Sequence, residues 1–264
     1  MNSVNDIDAA RRFGGIARLY GAIGLARFQG AHVCVIGVGG VGSWVVEALA
    51  RSAIGHLTMI DLDHLAESNI NRQIHALTDT LGMAKVTALA QRVAQINPEC
   101  RVTQIEDFLT PDNLEQLIGN QSFDFIIDAI DNVRAKTALI AYCRFHNLRL
   151  VTIGGAGGQI DPTCIEVRDL CRTEQEPLLA KVRKQLRAEH GFPRGTKNKF
   201  GIDAVFSTEP LRFPADVMDE QADLSSGITG LNCAGFGSAV VVTAAFGLVA
   251  AAHVLRLLAQ EDLA

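Results

Sequence analysis

The sequence predicts an α/β fold, a Rossmann-like, doubly wound and mostly parallel sheet with helices on both faces, plus C-terminal strands and a buried apolar helix. Three observations predict it. Short apolar, β-branched runs alternate with helical stretches between residues 31 and 153. The first run leads directly into Gly37-Val-Gly39-Gly40-Val-Gly42, and a carboxylate, Asp61, closes the second. Strands alternating with helices indicate a parallel sheet covered on both faces.

Residues 1–28 read as an N-terminal helical arm. Residues 31–36 form a strand, the glycines a turn, and Ser43 to Arg51 a helix. Further strands are expected at Leu57–Ile60, Val102–Ile105, Phe125–Ile130 and Leu150–Ile153, with helices near 84–96 and 134–146. The pattern then fades. Gly154 to Gly158 mark a turn, Gln159–Val167 reads as a strand and Glu176–Glu189 as a charged helix. The whole chain, 1–264, reads as one domain: the arm, a nucleotide-binding core at 29–153, and a C-terminal part at 154–264 for substrate and dimer contacts.

Composition bounds the function. The 264 residues carry 24 Lys+Arg against 29 Asp+Glu, a net charge of −5, and 48% are hydrophobic, which excludes disorder, a collagen-like fibre and an acidic tail. Cysteines at 34, 100, 143, 164, 171 and 233 include no Cys-x-x-Cys pair, so neither a zinc ribbon nor a disulfide framework is expected, and a reduced, cytoplasmic location follows. The first thirty residues lack the basic and apolar regions of a signal peptide. The apolar run 234–255 is long enough to span a membrane, but it is broken by Gly235, Gly237 and Gly247 and lacks flanking Trp or Tyr. A buried core or dimer-interface helix is expected there instead.

The glycine turn, Gly37, Gly39, Gly40 and Gly42, supplies a tight bend, close backbone approach to phosphate and helix packing, with the helix N-terminus aimed at the anion. Asp61 stands where a carboxylate accepts hydrogen bonds from ribose hydroxyls. These features suit a dehydrogenase equally well. The next motifs along the chain do not: Asp63, then Ser68-Asn69-Ile-Asn71-Arg72-Gln73, then Gly82-x-x-Lys85. Asn69 and Arg72, at i, i+3 spacing, would present an amide and a guanidinium towards the same phosphates. Lys85 falls in the first turn of a helix, where the dipole disfavours a cation unless it meets an anion. Asp128 and Asp131 close the Phe125 strand at the carboxyl edge of the sheet, where open α/β sheets bind ligands. Asp131 is the magnesium candidate; Asp128 joins the nucleotide contacts or caps the following turn. Residues 181–199 hold seven Lys and Arg and a single acidic residue, Glu189. The tract is either a solvated face or a phosphate path for nucleic acid.

Taken together, the glycine turn, Asp61-x-Asp63, Ser68 to Gln73, Gly82-x-x-Lys85 and Asp128-Ala-x-Asp131-Asn132 resemble the ubiquitin-activating-enzyme-like adenylating superfamily. Arg12-Phe-Gly-Gly, Asn71-Arg-Gln-Ile-His-Ala76, Gly154 to Pro162 and Val205-Phe-Ser-Thr-Glu209 are similar to its tRNA threonylcarbamoyladenosine dehydratase branch. The resemblance implies a homodimer that uses ATP and Mg2+ to activate the threonyl carboxylate of the modified base and close it into a ring, with tRNA as partner. In that scheme Arg72, Lys85, Asn69 and Asp131 are catalytic. Gly37, Gly39, Gly40, Gly42, Asp61, Asp63, Gln73, Asp128 and Asn132 join Asn69, Arg72 and Lys85 around the nucleotide. A monovalent cation (Na+ or K+) near the site stays open. Adenylation of a ubiquitin-like sulfur carrier is the alternative, but the zinc-binding Cys-x-x-Cys pairs of those relatives are absent, so no zinc is expected. Their N-terminal-arm arginine falls at Gly15, with Arg12 or Arg18 as replacements. Cys233 matches a cysteine linked to a sulfur-acceptor or cysteine desulfurase partner, and otherwise reads as buried.

Overall fold

Successive side chains of the central strands enter two different cores, because Cβ atoms alternate across a strand. In this computed structural model, which describes residues 8–212 and 236–260, the central strands are β1 (His32–Ile36), β2 (His56–Ile60), β4 (Phe125–Asp128) and β5 (Leu150–Ile153). Val33, Val35, Leu57, Met59 and Ile127 pack against α2 (Gly42–Arg51), α3 (Lys85–Ile96) and α6 (Val240–Ala259). Cys34, Ile36 and Ile126 face the opposite way, against α4 (Val133–Phe145) and α5 (Pro177–Glu189).

With β3 (Arg101–Ile105), β6 (Ile165–Asp169) and β7 (Asp203–Ser207), seven strands form one sheet in the order β3-β2-β1-β4-β5-β7-β6. Neighbours are parallel except β6 and β7. The chain builds outward from β1 in one direction and from β4 in the other. The gap between those two carboxyl ends is therefore the switch point at which such sheets open a ligand crevice.

Two expected strands need correction. The strand expected at Gln159–Val167 begins only at Ile165, because Pro162 starts a 3-10 turn that Asp161 caps by accepting the Thr163 N–H at 2.9 Å. The strand expected to reach Ile130 stops at Asp128, whose Oδ1 accepts the Ile130 N–H at 3.0 Å and turns the chain. The apolar helix α6 is buried on one face only. Phe246, Ala250 and Val254 are fully covered, whereas Val241 and Leu248 are 58% and 48% exposed. It is long and apolar enough to cross a membrane, yet half of its apolar window lies inside the protein. Gly247 brings it close to α2, since a Cβ there would sit 2.6 Å from the Val41 carbonyl oxygen.

The N-terminal arm is α1 (Ala9–Gly30), broken at Gly21, whose φ of 78° lies in the region that favours glycine. Arg12 donates from Nη1 to the carbonyls of Gln95 and Ile96, neutralising the carboxyl end of α3 in its own chain. Arg18 lies along α1 against Gly14. Neither lines the crevice between β1 and β4.

Candidate nucleotide site

The glycine turn works through its backbone. Gly37 has φ of 81°, and a Cβ on Gly42 would lie 1.9 Å from the Gly37 carbonyl oxygen, so α2 can start only on a glycine. Gly37, Gly39 and Gly40 line a cavity of about 830 Å³ at the switch point; Gly42 stays behind it as a packing residue.

Asp61 sits at the end of β2, 8% exposed, accepting the Val38 N–H on Oδ2 (2.8 Å) and the Asp63 N–H on Oδ1 (2.9 Å). Burial pushes its pKa up, and Lys85 and these two N–H groups oppose the rise. Lys85 opens α3 and is itself buried. Its Nζ donates to Asp63 Oδ2 at 2.6 Å and lies 4.0 Å from Asp61 Oδ1, while its backbone N–H donates to the Asp63 carbonyl. Asp63 thus aims the ammonium into the cavity.

Asn69 ends a 3-10 turn, Glu67–Asn69, and its Oδ1 accepts the Ala66 N–H at 3.0 Å. Its carbonyl takes the N–H groups of Arg72 and Gln73, which carries both side chains to the same cavity. The Arg72 stem lies on Gly40, where a Cβ would come within 3.3 Å of its Cγ and Cδ. Nη1 donates to the Ser68 carbonyl (2.6 Å) and Asn71 Oδ1 (3.0 Å), leaving Nε and Nη2 for a ligand. Gln73 is 5% exposed, and its Oε1 has no protein partner. Asp131 lines the cavity from the far side and enters no ion pair among the described residues. Asn132 lines it too while capping α4 through Oδ1 and the Ala135 N–H.

Asp128 does not reach the cavity, which corrects its assignment to the nucleotide contacts. It is fully buried, 2.8 Å from Lys136 Nζ, and accepts the Thr152 hydroxyl at 2.7 Å. Only the turn-capping alternative describes it. Sequence reasoning missed Lys136, yet Lys136, Leu139, Ile140 and Cys143 share one helical stripe, so a lysine on an apolar face was the available clue. It also missed Glu176, 4% exposed, which accepts the N–H groups of Gly155, Leu178 and Leu179 and so holds the 154–156 wall of the cavity. Its position directly before Pro177 marked a helix start. The 107–112 wall, including Phe108, carried no readable pattern. Cys233, expected to meet a sulfur-acceptor partner, lies outside the described residues.

Buried His75 and half-buried His56 give the fold an acid limit. Burial, then Lys85 and Arg92, push His75 down to about 3; burial, then His32 and Arg101, push His56 down to about 4. Both folded values lie below the unfolded value of 6.5, so the unfolded chain binds more protons between them. Stability is complete above the unfolded value and falls as pH drops towards the folded ones. His75 alone is expected to remove about 2 kcal/mol between roughly pH 7.5 and pH 5. Urea unfolding at both pH values checks this, and His75→Phe should flatten the dependence; an unchanged slope would exclude His75 as its source.

A glycine turn opening a helix at a sheet's switch point, a carboxylate after β2, and an arginine and a lysine converging on one crevice define a Rossmann-type nucleotide-binding protein. The ThiF family model matches residues 14–264, and the chain belongs to that family. It is 53% identical over 249 residues to the tRNA threonylcarbamoyladenosine dehydratase of Escherichia coli (strain K12), covering 93% of this chain and 92% of that protein. Crystal structures of the E. coli tRNA N6-threonylcarbamoyladenosine dehydratase with ATP and with AMP each superpose with a TM-score of 0.84 at 51% identity, over 94% of both chains.

Proposed function

We propose that the chain catalyses ATP-dependent dehydration of threonylcarbamoyladenosine next to the tRNA anticodon, by adenylating the threonyl carboxylate and closing it into a ring. The observation that carries this reading is one cavity gathering the glycine turn, Asn69, Arg72, Lys85 and Asp131, in a chain similar to the E. coli dehydratase along nearly its whole length. A carboxylate is a poor electrophile. Its oxygen attacks the α-phosphorus of ATP, the bond to pyrophosphate breaks, and the acyl-adenylate carries AMP as a good leaving group. The substrate's carbamoyl group then attacks the activated carbonyl, AMP departs, and the product is lighter by one water.

Arg72 and Lys85 oppose the charge that develops on the phosphates, and the Asn69 amide orients them. Asp61 takes the ribose hydroxyls, and Gln73 offers a buried amide whose Oε1 is still unpaired. Asp131 is the residue to hold Mg2+, which when bound neutralises phosphate charge. Of the aspartates that line the cavity, Asp61 and Asp63 already face Lys85; with no cluster of three or more His, Cys, Asp or Glu among the described residues, Asp131 fits a cation held mainly by phosphate oxygens and water. Ring closure within one substrate needs positioning more than a protein nucleophile.

The test measures conversion of ATP to AMP and pyrophosphate with tRNA from cells that have or lack the threonylcarbamoyl modification, alongside mass analysis of nucleosides. Modification-dependent AMP release with a product lighter by one water is expected. AMP release indifferent to tRNA would transfer the reading to a protein carrier, an alternative the similarity to dehydratases does not favour.

The 181–199 tract is the proposed tRNA path. Arg183 is bound to Thr173 Oγ1, and Arg187 donates to the carbonyls of Pro193 and Gly195, tying the loop to α5. Lys181, Lys184, Arg194, Lys197 and Lys199 remain exposed. Reversing Arg194, Lys197 and Lys199 to Glu is expected to weaken tRNA binding and reduce its log–log salt slope by roughly 2, with ATP affinity unchanged. Filter binding across a salt series reads both, and an unaltered slope would remove the tract from the interface. A homodimer and a cytoplasmic location belong to the same proposal. Exposed apolar residues on α1 and α6, Leu19, Ile23, Val241 and Leu248, supply a surface suited to self-association.

A further inference from the structure

A second cavity, of about 720 Å³, shares no lining residue with the nucleotide cavity. Arg12 of α1, Arg51 of α2 and Arg92 of α3 line it. Buried Glu47 accepts from Arg51 Nε (2.7 Å) and from Arg92 Nε (2.6 Å) and Nη2 (3.0 Å), so one carboxylate serves two guanidiniums. Among the described residues, Arg12 is met only by the neutral carbonyls of Gln95 and Ile96. None of the described Asp or Glu residues lines the cavity, and two positive charges stay uncompensated around it. Phe13, Leu77, Ala88 and Ile96 give it apolar walls.

His75 lines the same cavity at 2% exposure, and neither ring nitrogen has a protein hydrogen-bond partner. A neutral imidazole carries one donor and one acceptor, and native proteins seldom bury such a pair unmatched. The surrounding loop is not loosely held, because Thr80 Oγ1 donates to the His75 carbonyl at 2.6 Å.

We propose that this cavity is a second binding site, for a small dianion bearing phosphate or carboxylate groups. Arg12, Arg51 and Arg92 receive the anionic groups, and His75 hydrogen-bonds a polar atom of the same molecule. The second site does not depend on the dehydratase reading. It does touch the nucleotide site through the chain, since Gln73 lines one cavity and His75, two residues on, lines the other.

The test first measures AMP binding calorimetrically, so that a failure of the nucleotide reading is seen separately. The AMP-saturated protein is then titrated with inorganic phosphate, pyrophosphate and citrate, while the nitrogen-15 resonances of the His75 ring are followed. At least one anion is expected to bind once per chain and to shift those resonances. His75→Phe and the exposed-site variant Gln91→Glu, which puts a like charge into the cavity, should each weaken it about tenfold with AMP affinity unchanged. Absence of binding up to about 10 mM, or equal binding by both variants, would overturn the proposal. So would loss of tRNA affinity in Gln91→Glu without small-anion binding, which would assign the cavity to an RNA backbone.

Discussion

Arg72→Ala is expected to lower tRNA-dependent AMP formation by about 100- to 1,000-fold, the range found when one preorganised charge donor is removed from a transition state. The guanidinium is preorganised in a definite way. Its stem rests on Gly40, Nη1 is spent on the Ser68 carbonyl and Asn71 Oδ1, and its own carbonyl takes the Trp44 indole N–H at 3.0 Å. Those bonds cost a ligand nothing to arrange, so the remaining N–H groups meet phosphate oxygens without reorganisation. The loss should appear in kcat more than in KM, because the interaction strengthens as charge builds on the phosphates. Arg72→Lys should recover little, since an ammonium cannot reproduce the planar fork that reaches both the Ser68 carbonyl and a phosphate. A variant that keeps kcat and loses only ATP affinity would reduce Arg72 to a ground-state contact.

How much of this was legible in the sequence depends on whether a residue's partners lie near it along the chain. The glycine turn, Asp61 and the Asn69–Arg72 pair are built by local geometry: a strand end, a helix start and one 3-10 turn bring each to the crevice. Periodicity placed those elements within a residue or two. Lys85 reads correctly as a first-turn lysine, but its aiming partner, Asp63, is 22 residues away, and only the structure joins them. Asp128 failed for the same reason. Its spacing beside Asp131 suggested a second carboxylate at the sheet edge, whereas pleating turns it to the opposite core, towards Lys136 and Thr152. Between 165 and 207 the helix read at Glu176–Glu189 forms at Pro177–Glu189, whereas β6 was begun too early and β7 was missed, because the two strands pair across that helix and a loop and neither had a local partner to announce it.

Lys136→Met is expected to cost about 3–5 kcal/mol of stability, more than any substitution on the cavity surface, because it leaves the Asp128 carboxylate uncompensated in the interior. Both side chains of the pair are completely buried, and Lys136 Nζ also reaches Thr152 Oγ1 (3.0 Å) and the Asp128 carbonyl (3.3 Å). Removing one charge of such a pair is far worse than removing both. Lys136→Met with Asp128→Asn should therefore regain at least half of the loss, since an amide oxygen can still accept the Ile130 N–H that turns the chain towards Asp131. Urea unfolding of the two single variants and the double variant measures the coupling. A loss below about 1 kcal/mol in Lys136→Met would mean that the Asp128 charge is relieved by some other group. If the double variant refolds stably but releases AMP slowly, the pair acts by holding the 129–132 turn in place beneath the phosphates. If it is fully active, the ion pair serves stability alone and Asp131 is positioned by the Asn132 cap.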